Sequence, residues 1–172
     1  MNVHSAAAIH RQYKLSGDRR DVAPEDRSGE GDLSEAPLGS YDLIWVGPLF
    51  PHLRFGLAAA WIERLCSCLT PDGLVVATFH GRWSLEVHEG HPLLSETRFG
   101  KALAGRKLFG WGYSSCSGAD GGDFGISSST PSEVPLASTI PDVGILSFTE
   151  RGWAGNHDVL VPGRPGRLEP WN

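Results

Sequence analysis

Three histidines, His52, His80 and His157, are the residues of this chain best suited to moving a proton. An imidazole titrates near working pH, so each could take a proton from an acceptor hydroxyl as that oxygen attacks. The plainer role for each is a hydrogen bond to loop backbone. Five aromatic residues, Trp45, Trp83, Trp111, Tyr113 and Trp153, could line a pocket beside them. Trp45 falls in the middle of an apolar run and reads as core. Trp153 and Tyr113 fall in segments that read as loops, where anchoring a bound molecule is the expected use.

Other groupings point away from chemistry. His80, Glu86, His88, Glu89 and His91 have metal-binding types, but Gly90 and Pro92 argue against the helix that would align them, and no metal is expected. Ser84, Ser114 and Ser115 lack the strand, Gly-x-Ser-x-Gly turn and helix of a hydrolase nucleophile. Cys66 and Cys68 lie in an expected helix and Cys116 in an expected loop. Three cysteines make no framework of paired disulfides, so a reducing compartment, the cytoplasm, is expected.

The elements that must position the histidines begin at Tyr41. Residues Tyr41 to Gly47 form a short apolar run closed by Gly47-Pro48, as in a strand buried on both faces. From Phe55 the period changes: Ala58, Trp61, Ile62, Leu65 and Leu69 share one helical stripe, with Glu63 and Arg64 opposite. Thr70-Pro71-Asp72-Gly73 ends the helix and turns the chain into a second strand, Leu74 to Phe79. This strand–helix–strand unit is the crossover of an open α/β sheet. His52 follows its first strand and His80 ends the second, and ligands of such sheets bind beyond the carboxyl ends of the strands.

Further along, Ser95 to Phe109 is expected to be helical, with Phe99, Ala102 and Leu103 inward and Lys101, Arg106 and Lys107 outward. A Gly/Ser loop is expected from Gly110 to Gly122, a short strand from Phe124 to Ser128 and a short helix opening at Pro131-Ser132-Glu133. Gly144 to Thr149 and His157 to Val161 read as an antiparallel hairpin closing the sheet, which puts His157 on the same rim as His52 and His80. The expected fold is therefore α/β, a partial Rossmann-like open sheet with a parallel centre and a C-terminal antiparallel hairpin.

With 172 residues, 40% hydrophobic and 20% charged, the chain has material for one core. Residues 1–39 carry almost no apolar periodicity and read as a disordered or irregular tail, 40–162 as the domain, and 163–172 as a second tail. A net charge of −5 argues against a general nucleic-acid binder. No run of roughly 18 apolar residues and no secretory-signal pattern occur, so no membrane association is expected.

Several stretches, taken in order, resemble class I S-adenosylmethionine-dependent methyltransferases. Tyr41-Asp42-Leu43-Ile44-Trp45-Val46-Gly47 followed by Leu49-Phe50 and His52-Leu53 is similar to the fourth strand and the loop after it. Leu69-Thr70-Pro71-Asp72-Gly73-Leu74-Val75-Val76 resembles the Leu-x-Pro-Gly-Gly approach to the fifth strand. Thr78-Phe79-His80-Gly81-Arg82 looks like the Thr-x-His-Gly-Arg ending of one branch, as do Gly112-Tyr113-Ser114, Phe124-Gly125-Ile126-Ser127 and Trp153 with Asn156-His157-Asp158-Val159. The resemblance spans about residues 41–161, the C-terminal half of such an enzyme.

The resemblance implies methyl transfer from S-adenosylmethionine to a small acceptor, with oxygen the expected site. It implies that Gly47, Pro48 and Leu49 border the cofactor, that His52 is the catalytic candidate, and that His80, Tyr113, Trp153 and His157 face the acceptor. The family's Ser and Thr in the first loop are Pro48 and Pro51 here, and Asp72 stands for a glycine. The glycine-rich cofactor loop is not found. Ser28-Gly29-Glu30-Gly31-Asp32 has two glycines but no apolar strand before them. A chain whose cofactor half is truncated or replaced is the expectation. The other-class alternative is a non-catalytic remnant that binds a partner chain at an open sheet edge.

Overall fold

The computed structural model describes residues 36–86, 94–116, 125–131 and 141–164. The strand–helix–strand unit forms as its periodicity requires. Strand β1 (Tyr41–Val46) leads through a 3-10 turn (Phe50–His52) to helix α1 (Phe55–Ser67), which returns the chain to β2 (Leu69–Phe79). The Gly47–Pro48 peptide between β1 and the turn is cis. Strands β1 and β2 pair in parallel, Leu43 with Leu74 through Val46 with Ala77. Ala58, Trp61, Ile62 and Leu65 on α1 are all buried, and Leu69, expected on the same stripe, is buried as the first residue of β2.

The Thr70–Gly73 turn is not outside the sheet. Tyr41 already pairs with Leu69 and Leu43 with Leu74, so four residues bulge opposite Asp42 alone. The Thr70 hydroxyl donates to Asp42 Oδ1 at 2.8 Å and ties the bulge down. Strand β1 also differs from expectation in burial. Ile44 and Val46 are buried, whereas Leu43 and Trp45 on the alternate face are half-buried. Ile44 and Val46 belong to the main core, which also includes Phe50, Trp61, Ile62, Leu65, Val75, Phe79 and Leu160, and Tyr41 packs against it.

Short helix α2 (Arg82–Glu86) follows β2, and α3 (Glu96–Phe109) leads into the antiparallel pair β3 (Trp111–Ser115) and β4 (Gly125–Ser129). Strand β3 corrects the expected loop from Gly110. Gly112 lets it form there, because any side chain at that position would collide with the Ala102 carbonyl of α3. Burial corrects a second expectation. Arg106 is buried, not outward, and its Nε donates to the Ser129 carbonyl at 3.3 Å. Ala102 is buried, with Phe99 and Leu103 packed around it as the helical spacing requires.

The hairpin also forms. Strands β5 (Gly144–Trp153) and β6 (His157–Gly163) are antiparallel, and β6 pairs with β2, which gives a mixed sheet in the order β1-β2-β6-β5. The architecture is α/β and Rossmann-like, a parallel crossover extended by an antiparallel hairpin. Ala36 packs against the core and its carbonyl accepts from Arg64 at 2.7 Å, so contacts begin ahead of β1. Most of the expected N-terminal tail, the end of the second tail, the helix at Ser132-Glu133 and the segment with His88 and His91 lie outside the described residues. Among the described residues, no helix is long and apolar enough to cross a membrane.

Candidate functional site

His52, His80 and His157 converge. His52 closes the 3-10 turn after β1, His80 follows the last residue of β2, and His157 opens β6, all at the carboxyl ends of the parallel strands. The His52 and His80 ring centroids are 6.5 Å apart, and those of His80 and His157 are 4.8 Å apart. The row continues through Trp153, 5.0 Å from His157, to Trp45, 6.1 Å from Trp153 and edge-on to it. Segments more than a hundred residues apart in sequence thus form one line of imidazole and indole rings.

Each histidine is held by a different contact. Nδ1 of His52 lies 3.0 Å from the Gly125 carbonyl, which can only accept, so Nδ1 is the donor. Nδ1 of His157 lies 2.6 Å from Asn156 Oδ1, and with the amide oxygen as acceptor Nδ1 is again the donor. His80 is only 7% exposed, and its carbonyl accepts from the Ser129 amide at 2.9 Å, which joins β2 to β4. Burial, helped by charge on His52, pushes the His157 imidazole down to about 4. His157 is therefore neutral at physiological pH, an acceptor and donor of hydrogen bonds more than a cation.

The other expected site residues sit nearby in different roles. Trp153 ends β5 and belongs to the ring row. Tyr113 lies in strand β3, not in a loop, and its ring covers Gly125, whose carbonyl holds His52. Gly47 is half-buried, Pro48 exposed and Leu49 half-buried against the core. A Cβ on Gly47 would lie 3.0 Å from Trp45 Cζ2, so the Trp45 indole rests on the loop that follows its own strand.

Trp45 is the member of the ring row that sequence reasoning misplaced. The signal was present, since Ile44 and Val46 flank it and strand alternation turns position 45 to the other face. Asn156 and Asp158 also went unassigned, although they flank His157. Among the described residues, no set of three or more His, Cys, Asp or Glu side chains is placed to hold a metal ion.

No family model matches the chain, and no curated protein matches it. Among solved structures, the chain is similar to a SAM-dependent methyltransferase from Methanosarcina mazei, with 14% identity over 76% of this chain and a TM-score of 0.48. The match spans 62% of that protein's length.

Proposed function

We propose that this chain carries the acceptor side of an S-adenosylmethionine-dependent methyltransferase, and that the ring row holds a small hydroxyl-bearing acceptor. The observation that carries this reading is the convergence of His52, His80 and His157 beyond the parallel strands. The motif resemblance across residues 41–161 supports it independently.

The described residues fit one side of the cofactor. Gly47, Pro48 and Leu49 offer a wall beside Trp45, but among the described residues no glycine-rich turn leads from a strand into a helix to cradle the rest. Bound S-adenosylmethionine would supply an electrophilic methyl group. The chain's own contribution is orientation and proton handling. His52 presents Nε2 as the base because Gly125 fixes Nδ1 as the donor. His157, kept neutral by burial, can hydrogen-bond the acceptor without adding charge to the pocket. Trp153 and Trp45 give flat apolar faces against which an acceptor can be oriented, and orientation is a large part of what such a transfer requires.

Calorimetric titration with S-adenosylmethionine, followed by an assay for labelled methyl transfer to a panel of small alcohols and phenols, tests the proposal. Heat of binding and labelled product are expected. Absence of both at millimolar cofactor refutes it.

A further inference from the structure

Four consecutive residues after His80 each take a partner from the β5–β6 hairpin. Gly81 lies so close to Asp158 that a methyl group at position 81 would collide with the carboxylate. Arg82 meets Glu150 with two parallel hydrogen bonds, Nε to Oε1 at 3.2 Å and a terminal nitrogen to Oε2 at 3.1 Å. The Arg151 guanidinium sits 3.9 Å above the Trp83 ring. The Ser84 hydroxyl donates to the Asn156 carbonyl.

Asp158 is the centre of this array. It pairs with Phe79 across the β2–β6 ladder, is 4% exposed, and accepts the Arg151 amide at 2.9 Å through Oδ1. That bond holds Arg151 in a left-handed conformation, φ 57°, which a residue with a side chain adopts only at a cost. Burial of a carboxylate is costly too. Burial pushes its carboxyl up from the ordinary value, the Arg151 amide opposes that, Glu150 adds to it, and Arg106 and Arg82 pull it back. Nothing in the proton handling above uses this group, so its placement calls for another reason. The two residues before it, His157 and Asn156, supply one.

We propose that Gly81 to Ser84 and the tip of the β5–β6 hairpin form a positioning clamp, with Asp158 as its positioning residue, that fixes His157 against His80. The clamp takes its purpose from the reading of the ring row as an acceptor site, but its geometry can be tested without that reading. Asp158 aligns the two strands at the last rung before the histidines. Ser84 holds the backbone of Asn156, whose side chain in turn holds His157 Nδ1. Arg82 and Trp83 close the outer side.

An NMR titration of the His157 ring, with no cofactor or acceptor present, reads the clamp directly. The titratable groups facing that ring are His52 and His80, beside Trp153 and the Asn156 amide. Deleting a neighbouring negative charge cannot raise an imidazole pKa, so any rise in Asp158→Ala reports lost burial. The expected rise is about one unit or more, from about 4 toward 6.5. Asp158→Asn keeps the shape and the acceptor for the Arg151 amide, and is expected to retain the low value. If Asp158→Ala does not fold, the double variant Arg82→Ala/Ser84→Ala asks the same question with milder changes, and a rise of about half a unit is expected. A ring pKa unchanged in the folded variants, or raised equally in Asp158→Asn and Asp158→Ala, overturns the clamp. A chain that shows the shift and transfers no methyl group overturns the proposed function alone.

Discussion

Acid should destabilise this fold partly through one residue, and His157→Gln isolates it. The imidazole titrates at about 4 in the folded chain against 6.5 for an ordinary histidine. Below about pH 6.5 the unfolded chain takes up a proton that the folded chain refuses, so stability falls as pH drops and stops falling below about 4. The full shift of about 2.5 units corresponds to a ceiling of about 3 kcal/mol at about 1.36 kcal/mol per unit. His157 is only half-buried, and solvent screening reduces the expected effect to about 1–2 kcal/mol.

Asp158 works in the opposite direction. Its carboxyl is raised in the fold, so its contribution favours the folded state in acid and is lost as pH rises through the folded value. Comparing wild type with His157→Gln cancels that term, because both chains keep Asp158. Urea unfolding at about pH 7 and about pH 4.5 should therefore show wild type losing about 1–2 kcal/mol more than the variant. Equal losses, within about 0.5 kcal/mol, would refute a His157 held neutral by burial.

Three further outcomes are expected. If His52 is the base, His52→Ala should lower turnover by about 10²–10⁴-fold with little change in cofactor affinity, while loss of the Gly125 contact alone would cost about 1 kcal/mol of stability and spare kcat; steady-state kinetics and thermal melts separate these. Gly112→Ala should destabilise the fold by about 1–3 kcal/mol, read by chemical denaturation, because the methyl meets the Ala102 carbonyl of α3; an unchanged midpoint would sink that packing argument. Cys66, buried and with its thiol pushed up to about 11, should resist alkylation at about pH 8 in the folded chain and react on unfolding, as mass spectrometry of the labelled peptide would show.

The parts that could be read from the chain are those whose signals are local. The β-branched apolar run from Leu74 to Phe79, the 3.6-residue stripe from Ala58 to Leu65, and the turn chemistry between them require a strand–helix–strand unit whatever surrounds it, and the parallel β1–β2 pair follows. The rim position of His52, His80 and His157 follows from where those elements end. Their spacing of 6.5 and 4.8 Å does not, because it depends on β6 docking beside β2 across some eighty residues of intervening chain.

Long-range packing also decided what local pattern misread. Trp45 lies in the ring row because Ile44 and Val46, which flank it on the opposite face of β1, are the residues buried in the main core, and a run of apolar residues does not say which of its faces will be covered. Arg106 reads as an outward cation by its type, yet the Ser129 carbonyl of β4 gives its guanidinium a buried partner that helical spacing alone cannot foresee. Glycine and serine at 110–115 looked like a loop because their propensity is weak. Strand β3 forms there because Gly112 admits the α3 backbone and β4 completes its hydrogen bonds, and neither neighbour is visible in the segment itself.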